Sequence, residues 1–461
     1  MITAAIRPVS RAVASVAVAL AVSVLSFFFS LPAQAMKIQT IKTPGGIEAW
    51  LVEEHSVPLM ALRFAFEGGN SQDPVGKEGT SNFITAMMDE GAGDLKSEEF
   101  QERMEDISMR MGFEDNKDSL YGSFETLTAN REKAVELLKL AVQKPRFDVE
   151  ATDRIRQQLV ANLIYADKDP GKVAAREWYA LAYEGHPYGR SANGSKETVA
   201  KITSEDLKAF HKRTFAKNTL TVVAVGDINA AELSKLIDDV FGGLADKAEL
   251  LPVAKVDPVN GGRQSIIEMN VPQSVAVFGL GAMPRKDPDF MAAFVVNHII
   301  GGGGFSAKLM EEVREKRGLA YSVYTFIQPY QHTSILQGGV ATKNEAMAES
   351  LSIIRGELKK MADNGPSQED LQAAKDYLTG SYALRFDTNS KIATQLLGLM
   401  QEGFGTDYVE QRNKIVEAIT LDDVKRVAKR LLNTDGLIVT VVGKPVGLKS
   451  ASPAPLAPNK G

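Results

Sequence analysis

The chain has 461 residues, room for about three domains. Its 44% hydrophobic and 24% charged residues are ordinary for a globular protein. A formal net charge of -5 offers no basic face for nucleic-acid phosphates, and the absence of cysteine excludes disulfides, thiol nucleophiles and thiolate-bound metals.

Residues 1–35 read as a secretory signal. Arg7 and Arg11 supply a positive start, residues 12–31 carry no charge, and Ala33-Gln34-Ala35 is a small-x-small cleavage site. The competing reading is an uncleaved membrane anchor, because the apolar run is long for a signal. Cleavage leaves 51 basic against 58 acidic residues, a net of -7. No later stretch is long and apolar enough to span a bilayer. The mature chain is expected to be exported, periplasmic in a Gram-negative cell, and free of stable membrane insertion.

The remainder reads as a duplication. Val57-Pro58 is followed sixteen residues on by Asp73-Pro74, and Val271-Pro272 by Asp287-Pro288 at the same spacing. A strand-like run lies between in each copy, at 59–66 and 274–280. A helical pattern then ends in glycines, at Gly91 and Gly93 and at Gly301 to Gly304. Farther on, Ile202-Thr203-Ser204-Glu205-Asp206-Leu207-Lys208 matches Ile419-Thr420-Leu421-Asp422-Asp423-Val424-Lys425. Each Thr is placed to cap a helix, with an Asp three residues on in the manner of a capping box. A β-rich run ending in Gly follows each, at 220–226 and 437–443. The two matches have offsets of 214 and 217 residues, so they argue for two homologous domains. Amphipathic helices at 134–143 and 349–362 sit among the strands. This pattern predicts an α+β fold, each domain a mainly antiparallel sheet covered by helices. The boundaries are 36–246 for the first domain, 247–262 for a Pro- and Gly-interrupted linker, 263–443 for the second domain and 444–461 for a Pro-rich tail expected to be disordered.

One segment is more specific: Leu309, four residues, then Arg314-Glu315-Lys316-Arg317-Gly318-Leu319-Ala320-Tyr321-Ser322-Val323. Gly301-Gly302-Gly303-Gly304-Phe305-Ser306-Ala307-Lys308 precedes it, and His186-Pro187-Tyr188-Gly189 lies in the first half. Together these resemble the inverted zinc peptidases, the insulinase, pitrilysin and mitochondrial-processing-peptidase group, from about Gln39 to Gly443. The resemblance implies that Arg314 and Tyr321 face substrate, where guanidinium and phenol donate to a peptide carbonyl as it gains negative charge. It implies that Gly301, Gly302, Gly303 and Gly304 let backbone approach an extended substrate. Read without it, Arg314 would sit in a surface ion pair with Glu311 or Glu315, Tyr321 would fill the core, and the glycines would loosen a helix end.

The same resemblance exposes a departure. The family's zinc site needs H-x-x-E-H on a first-domain helix and a Glu about 76 residues farther on. Aligning on Gly79 and Gly91 puts Asn82, Thr85 and Ala86 at the motif and Asn162 at the third ligand, with Ile155 in place of a helper acid. The helices at 79–90 and 148–163 are expected to persist as scaffold. The five histidines, His55, His186, His211, His298 and His332, offer no pair three or four residues apart. This chain is therefore expected to bind no metal or cofactor. Zinc would belong to a homologous H-x-x-E-H partner subunit, the two acting together on a peptide or unfolded protein. The alternative is an inert scaffold or binding protein of the same descent. A stand-alone metal-independent enzyme finds no nucleophile motif. Exported protein is expected to begin at Met36; an intact mass that includes residues 1–35 would instead establish the anchor.

Overall fold

The computed structural model describes residues 36–259 and 261–450; the expected signal, 1–35, and the end of the tail, 451–461, lie outside the described residues. In the first half, β1 (Gln39–Lys42) and β2 (Glu48–Glu53) form a hairpin. β3 (Leu59–Glu67) carries Leu62, Phe64 and Phe66 toward the core of its own half. Ala61, Arg63 and Ala65 point the opposite way, as the two-residue period of a strand requires. Then come α1 (Thr80–Thr85), the hairpin β4 (Arg110–Asp115) and β5 (Ser119–Leu127), and the helices α2 (Val149–Ala166), α3 (Pro170–Ala182) and α4 (Ser204–Thr214). β6 (Leu220–Gly226) returns to the sheet, whose order is β1-β2-β6-β3-β5-β4, with β2 and β6 the parallel pair.

The second half repeats this plan. Its strands are β7 (Gln264–Glu268), β8 (Gln273–Gly281), β9 (Ala320–Pro329) and β10 (Ser334–Lys343). Its helices include α5 (Phe290–Asn297), α6 (Asn389–Gln401) and α7 (Leu421–Leu431), before the closing strand β11 (Ile438–Gly443). The order β9-β10-β8-β11-β7, with β11 and β7 parallel, reproduces the first sheet from β4 to β2. The duplication read from spacing is thus visible as topology. Both capping boxes form: Thr203 and Asp206 close the start of α4, and Thr420 and Asp423 that of α7.

Each sheet is covered on its far face by a helix from the other half. α3, from the first half, lies on β8 and β11 of the second sheet. Its Trp178 is fully buried among Val277, Ile335, Ile438 and Val442, and donates its indole N–H to Ile438 O at 3.2 Å. Gly279 makes room, because a Cβ there would stand 2.6 Å from the indole ring. α6, 219 residues farther on, lies on β3 and β6 of the first sheet, burying Ala393, Leu396 and Leu397. Asn389 donates to Leu59 O at 3.4 Å, and Ser390 bonds Glu125, itself paired with Arg63 at 2.6 Å.

Two expectations need correction. The helix expected over 79–90 stops at Thr85. Thr85 turns its hydroxyl back onto Asn82 O at 2.9 Å, and the chain continues in tighter turns, Met87 N to Ile84 O and Glu90 N to Met87 O. The tail is held as far as residue 450: Val446 N bonds Asn344 O, and Gln264 bonds Lys449 O, because the segment runs beside the edge strand β7. The expected linker has no regular structure over residues 247–259, and it is fastened, Leu251 to Gln72, Val256 to His332 O and Val259 to Ala182 O.

Trp178→Ala is expected to lower stability by about 3–5 kcal/mol in chemical denaturation, because it leaves a large cavity. A loss below about 1 kcal/mol would show that α3 does not hold the second sheet.

Candidate functional site

A cavity of about 750 Å³ opens between α1, α2, α3 and the β4–β5 turn, with Tyr330, just past β9, on its wall. Asn82 and Asn162 both line it, although 80 residues separate them. Two positions that the resemblance aligns with metal ligands thus meet in one place. Thr85 is buried with its hydroxyl on Asn82 O, and Ala86 follows at the helix end. The donor set does not fit a zinc ion. Two carboxamides are weak ligands, a methyl is none, and the wall's one carboxylate, Asp115, is pushed up by burial and bonded by Asn70 at 3.1 Å. Among the described residues no three His, Asp or Glu side chains gather to hold a metal.

Instead the cavity is lined with cations. Lys117 sits in the β4–β5 turn, where the Asn116 side chain accepts from Asp118 N and Ser119 N at 2.8 Å. This turn docks against the second half, where Asp118 accepts from Gln331 N at 2.9 Å; within its own half Asp118 also accepts from the Tyr188 hydroxyl. Lys117 is consequently buried, 7% exposed, its Nζ donating to Tyr188 O at 2.7 Å and lying 4.3 Å from the Tyr179 ring centroid. Burial pushes its ammonium down to about 8. A folded value below the unfolded one means stability is gained above the unfolded value and lost as pH falls through about 8. Keeping this group charged at neutral pH therefore works against folding. Arg190 donates to Asp73 O at 2.9 Å and Ser71 O at 3.1 Å; Arg176 pairs with Asp167 at 2.8 Å. Lys172, also on the wall, has no carboxylate within 4.0 Å among the described residues.

The second constellation is in the other half. Arg314 lies with its guanidinium 4.7 Å from the Phe305 ring and 4.7 Å from the Tyr321 ring. Tyr321 is 81% exposed and Phe305 65%, so neither is a core residue. The surface ion pair also fails to form: Glu311 pairs with Lys308 and Lys316, and Arg314 has no carboxylate within 4.0 Å among the described residues. Tyr321 opens the edge strand β9, at a bulge between Ala320 and Val323. The glycines divide. Gly301 is buried where a Cβ would meet Thr325 Oγ1 at 2.4 Å, so it is required by packing and is not available to substrate. Gly302 is exposed but crowded by Asn297 at 2.7 Å, and Gly303 by His298 O at 2.8 Å. Gly304 alone has open space, with φ +61. His298 stacks on Tyr377 at 4.9 Å.

Lys117, Asp115, Arg190 and Tyr330 were not anticipated. Asn116-Lys117-Asp118 reads as an exposed turn, and only contacts with residues 71 and 213 positions away bury it.

A family profile described as "Insulinase (Peptidase family M16)" matches residues 50–196, and one described as "Peptidase M16 inactive domain" matches 201–378. A Helicobacter pylori protein named non-peptidase homolog YmxG is 24% identical over 419 residues, 91% of this chain and 96% of that protein. An uncharacterized zinc protease of Mycobacterium tuberculosis is 24% identical over 411 residues, 87% of this chain and 92% of its own length. Among solved structures, a peptidase M16 inactive domain from Pseudomonas fluorescens matches with a TM-score of 0.84 at 29% identity, over 90% of this chain and 100% of that one. A protease from H. pylori shares the fold, with a TM-score of 0.82 at 18% identity, over 88% of this chain and 99% of its own.

Metal analysis after zinc loading and gel filtration is expected to find less than one zinc per chain; a full retained equivalent would contradict the cavity wall described above.

Proposed function

Because this chain belongs to the insulinase (M16) family of peptidases, we propose that it is a non-catalytic, substrate-binding subunit of an exported zinc endopeptidase, lending Arg314 and Tyr321 to the zinc site of a homologous H-x-x-E-H partner. The observation that carries this reading is the state of Arg314. Its charge is stacked between two exposed rings, neutralised by no carboxylate among the described residues, and presented at a sheet edge. A group held that way is available to something outside the chain.

The geometry also argues that this something is not the chain's own cavity. Tyr321 and Tyr330 lie at opposite ends of β9, nine residues apart, which is on the order of 25–30 Å at strand rise. No peptide bond can lie at both places. The cavity beside Tyr330 lacks zinc donors, and a matching relative is named a non-peptidase homolog, so the reaction needs its metal from elsewhere. The partner's zinc would supply activated water. This chain's phenol and guanidinium would donate to the scissile carbonyl oxygen, or to the amide beside it, as negative charge builds. The aromatic stack serves that role by fixing the guanidinium plane without neutralising it. Tyr324 and Phe326, exposed farther along β9, extend the same face.

The test is cleavage by the assembled complex. Tyr321→Phe removes one hydroxyl donor and is expected to lower the rate about a hundredfold. Arg314→Ala is expected to lower it at least as much. Gel filtration should show both variants still assembling with the partner. Undiminished cleavage by both assembled variants would refute the complementing role and leave an inert scaffold.

A further inference from the structure

The cavity beside Asn82 and Asn162 plays no part in that reaction, yet it is neither filled nor apolar. Among the described residues its wall holds Lys117, Lys172, Arg176 and Arg190 and the one carboxylate of Asp115; Arg176 is paired outside the wall with Asp167, while Lys172 and Arg190 have no carboxylate within 4.0 Å. The chain as a whole has the opposite balance, 58 acidic residues against 53 basic. A cationic cavity in an acidic protein concentrates anions there.

Three features narrow the ligand. Lys117 has three N–H donors; one is used by Tyr188 O and the Tyr179 ring covers another side, which leaves a donor for the cavity. Asn162 and Asn193 line the exposed rim with side chains that make no hydrogen bond among the described residues, and a carboxamide both donates and accepts, as a peptide backbone does. The N-terminus of α3, the helix end nearest Lys172, has its amides from Gly171 and Lys172 already taken by Asp169 at 2.8 and 3.1 Å. A phosphate would want those free amides. A carboxylate needs only the ammonium and guanidinium groups that are present. The volume, about 750 Å³, is that of a pocket for a short segment.

We propose that this cavity binds an acidic peptide segment, with Lys117 receiving a carboxylate at its buried end, Lys172 and Arg190 receiving others near the mouth, and the rim asparagines engaging the backbone. The site lies on the order of 25–30 Å from Tyr321 along β9, so it belongs to the isolated chain and does not depend on a partner subunit.

The experiment uses the mature full chain and fluorescein-labelled octapeptides read by anisotropy: one alternating Glu and Ala, one with Gln for Glu, one with Lys for Glu. The Glu peptide is expected to bind at least tenfold tighter than the Gln peptide, and the Lys peptide more weakly than either. Lys117→Met is expected to weaken the Glu peptide at least tenfold while leaving the melting temperature unchanged or higher. Should that variant fail to fold, two rim variants carry the test. Lys172→Gln removes an exposed charge and Asn162→Asp adds a repulsive one, and each is expected to weaken the Glu peptide at least threefold with the Gln peptide unaffected. Equal binding of Glu and Gln peptides, or unchanged affinity in folded variants, would overturn the proposal. Complete displacement of the Glu peptide by low-millimolar inorganic phosphate would also overturn it, leaving a small-anion site.

Discussion

Everything in this molecule hangs on an exchange of helices. Each sheet buries one face under helices of its own half and the other under a single helix from the opposite half: α3 on the second sheet, α6 on the first. A sheet with one face left bare would expose Val277, Ile438 and Val442, or Ala61, Val223 and Val225, all buried here. Burying apolar area of that order is what stabilises either half. Neither half is complete without the other, and rotation between them would drag Trp178 out of its slot over Gly279. Within residues 39–450 the two halves are therefore interlocked. The interlock fixes where the β4–β5 turn meets residues 330–333, and therefore where Lys117 is pressed.

Duplication supplies a frame, and the two copies have used it differently. In the first half Asp73, of the Asp-Pro pair, is buried and accepts from Gly79 N and Ser81 N, fastening the start of α1. In the second half the matching Asp287 is only partly buried and pairs with Arg430 at 2.8 Å. The cavities diverge likewise. The counterpart between α5, the end of β9 and α6 holds only about 270 Å³. Arg285 occupies it, with ring centroids of Phe290, Phe404 and Tyr408 at 4.7, 4.4 and 5.3 Å and Glu402 at 2.9 Å. That cation is neutralised and sealed by aromatic contacts. Lys117 forms no ion pair within 4.0 Å among the described residues, and its cavity is the larger of the two.

The sequence carried the repeat, the fold class and the convergence of Asn82 with Asn162, because helix caps, strand alternation and glycine spacing are local and survive duplication. The contact between Arg314 and Tyr321 was legible too, the two being seven residues apart on a short connection. What was hidden is non-local. Nothing near Trp178 announces that it caps a sheet 260 residues away, and nothing near Lys117 announces burial. Gly301 read as backbone open to substrate, yet it is dictated by the proximity of Thr325 on β9. The tail beyond Gly443 read as disordered from its prolines, while its order as far as residue 450 comes from a neighbouring edge strand.

The segment from residue 247 to 259 lies outside this exchange. It has no regular structure and is tied by hydrogen bonds to Gln72, His332 and Ala182, with Pro258 buried and Val253 and Val256 partly buried. Covalent continuity there is nearly redundant. A single cut in that stretch would yield two polypeptides that still clasp one another, each supplying the other's missing layer. The same interlocking would let the halves be made as separate genes and reassemble, and a chain so built can gain or lose a linker without losing its shape.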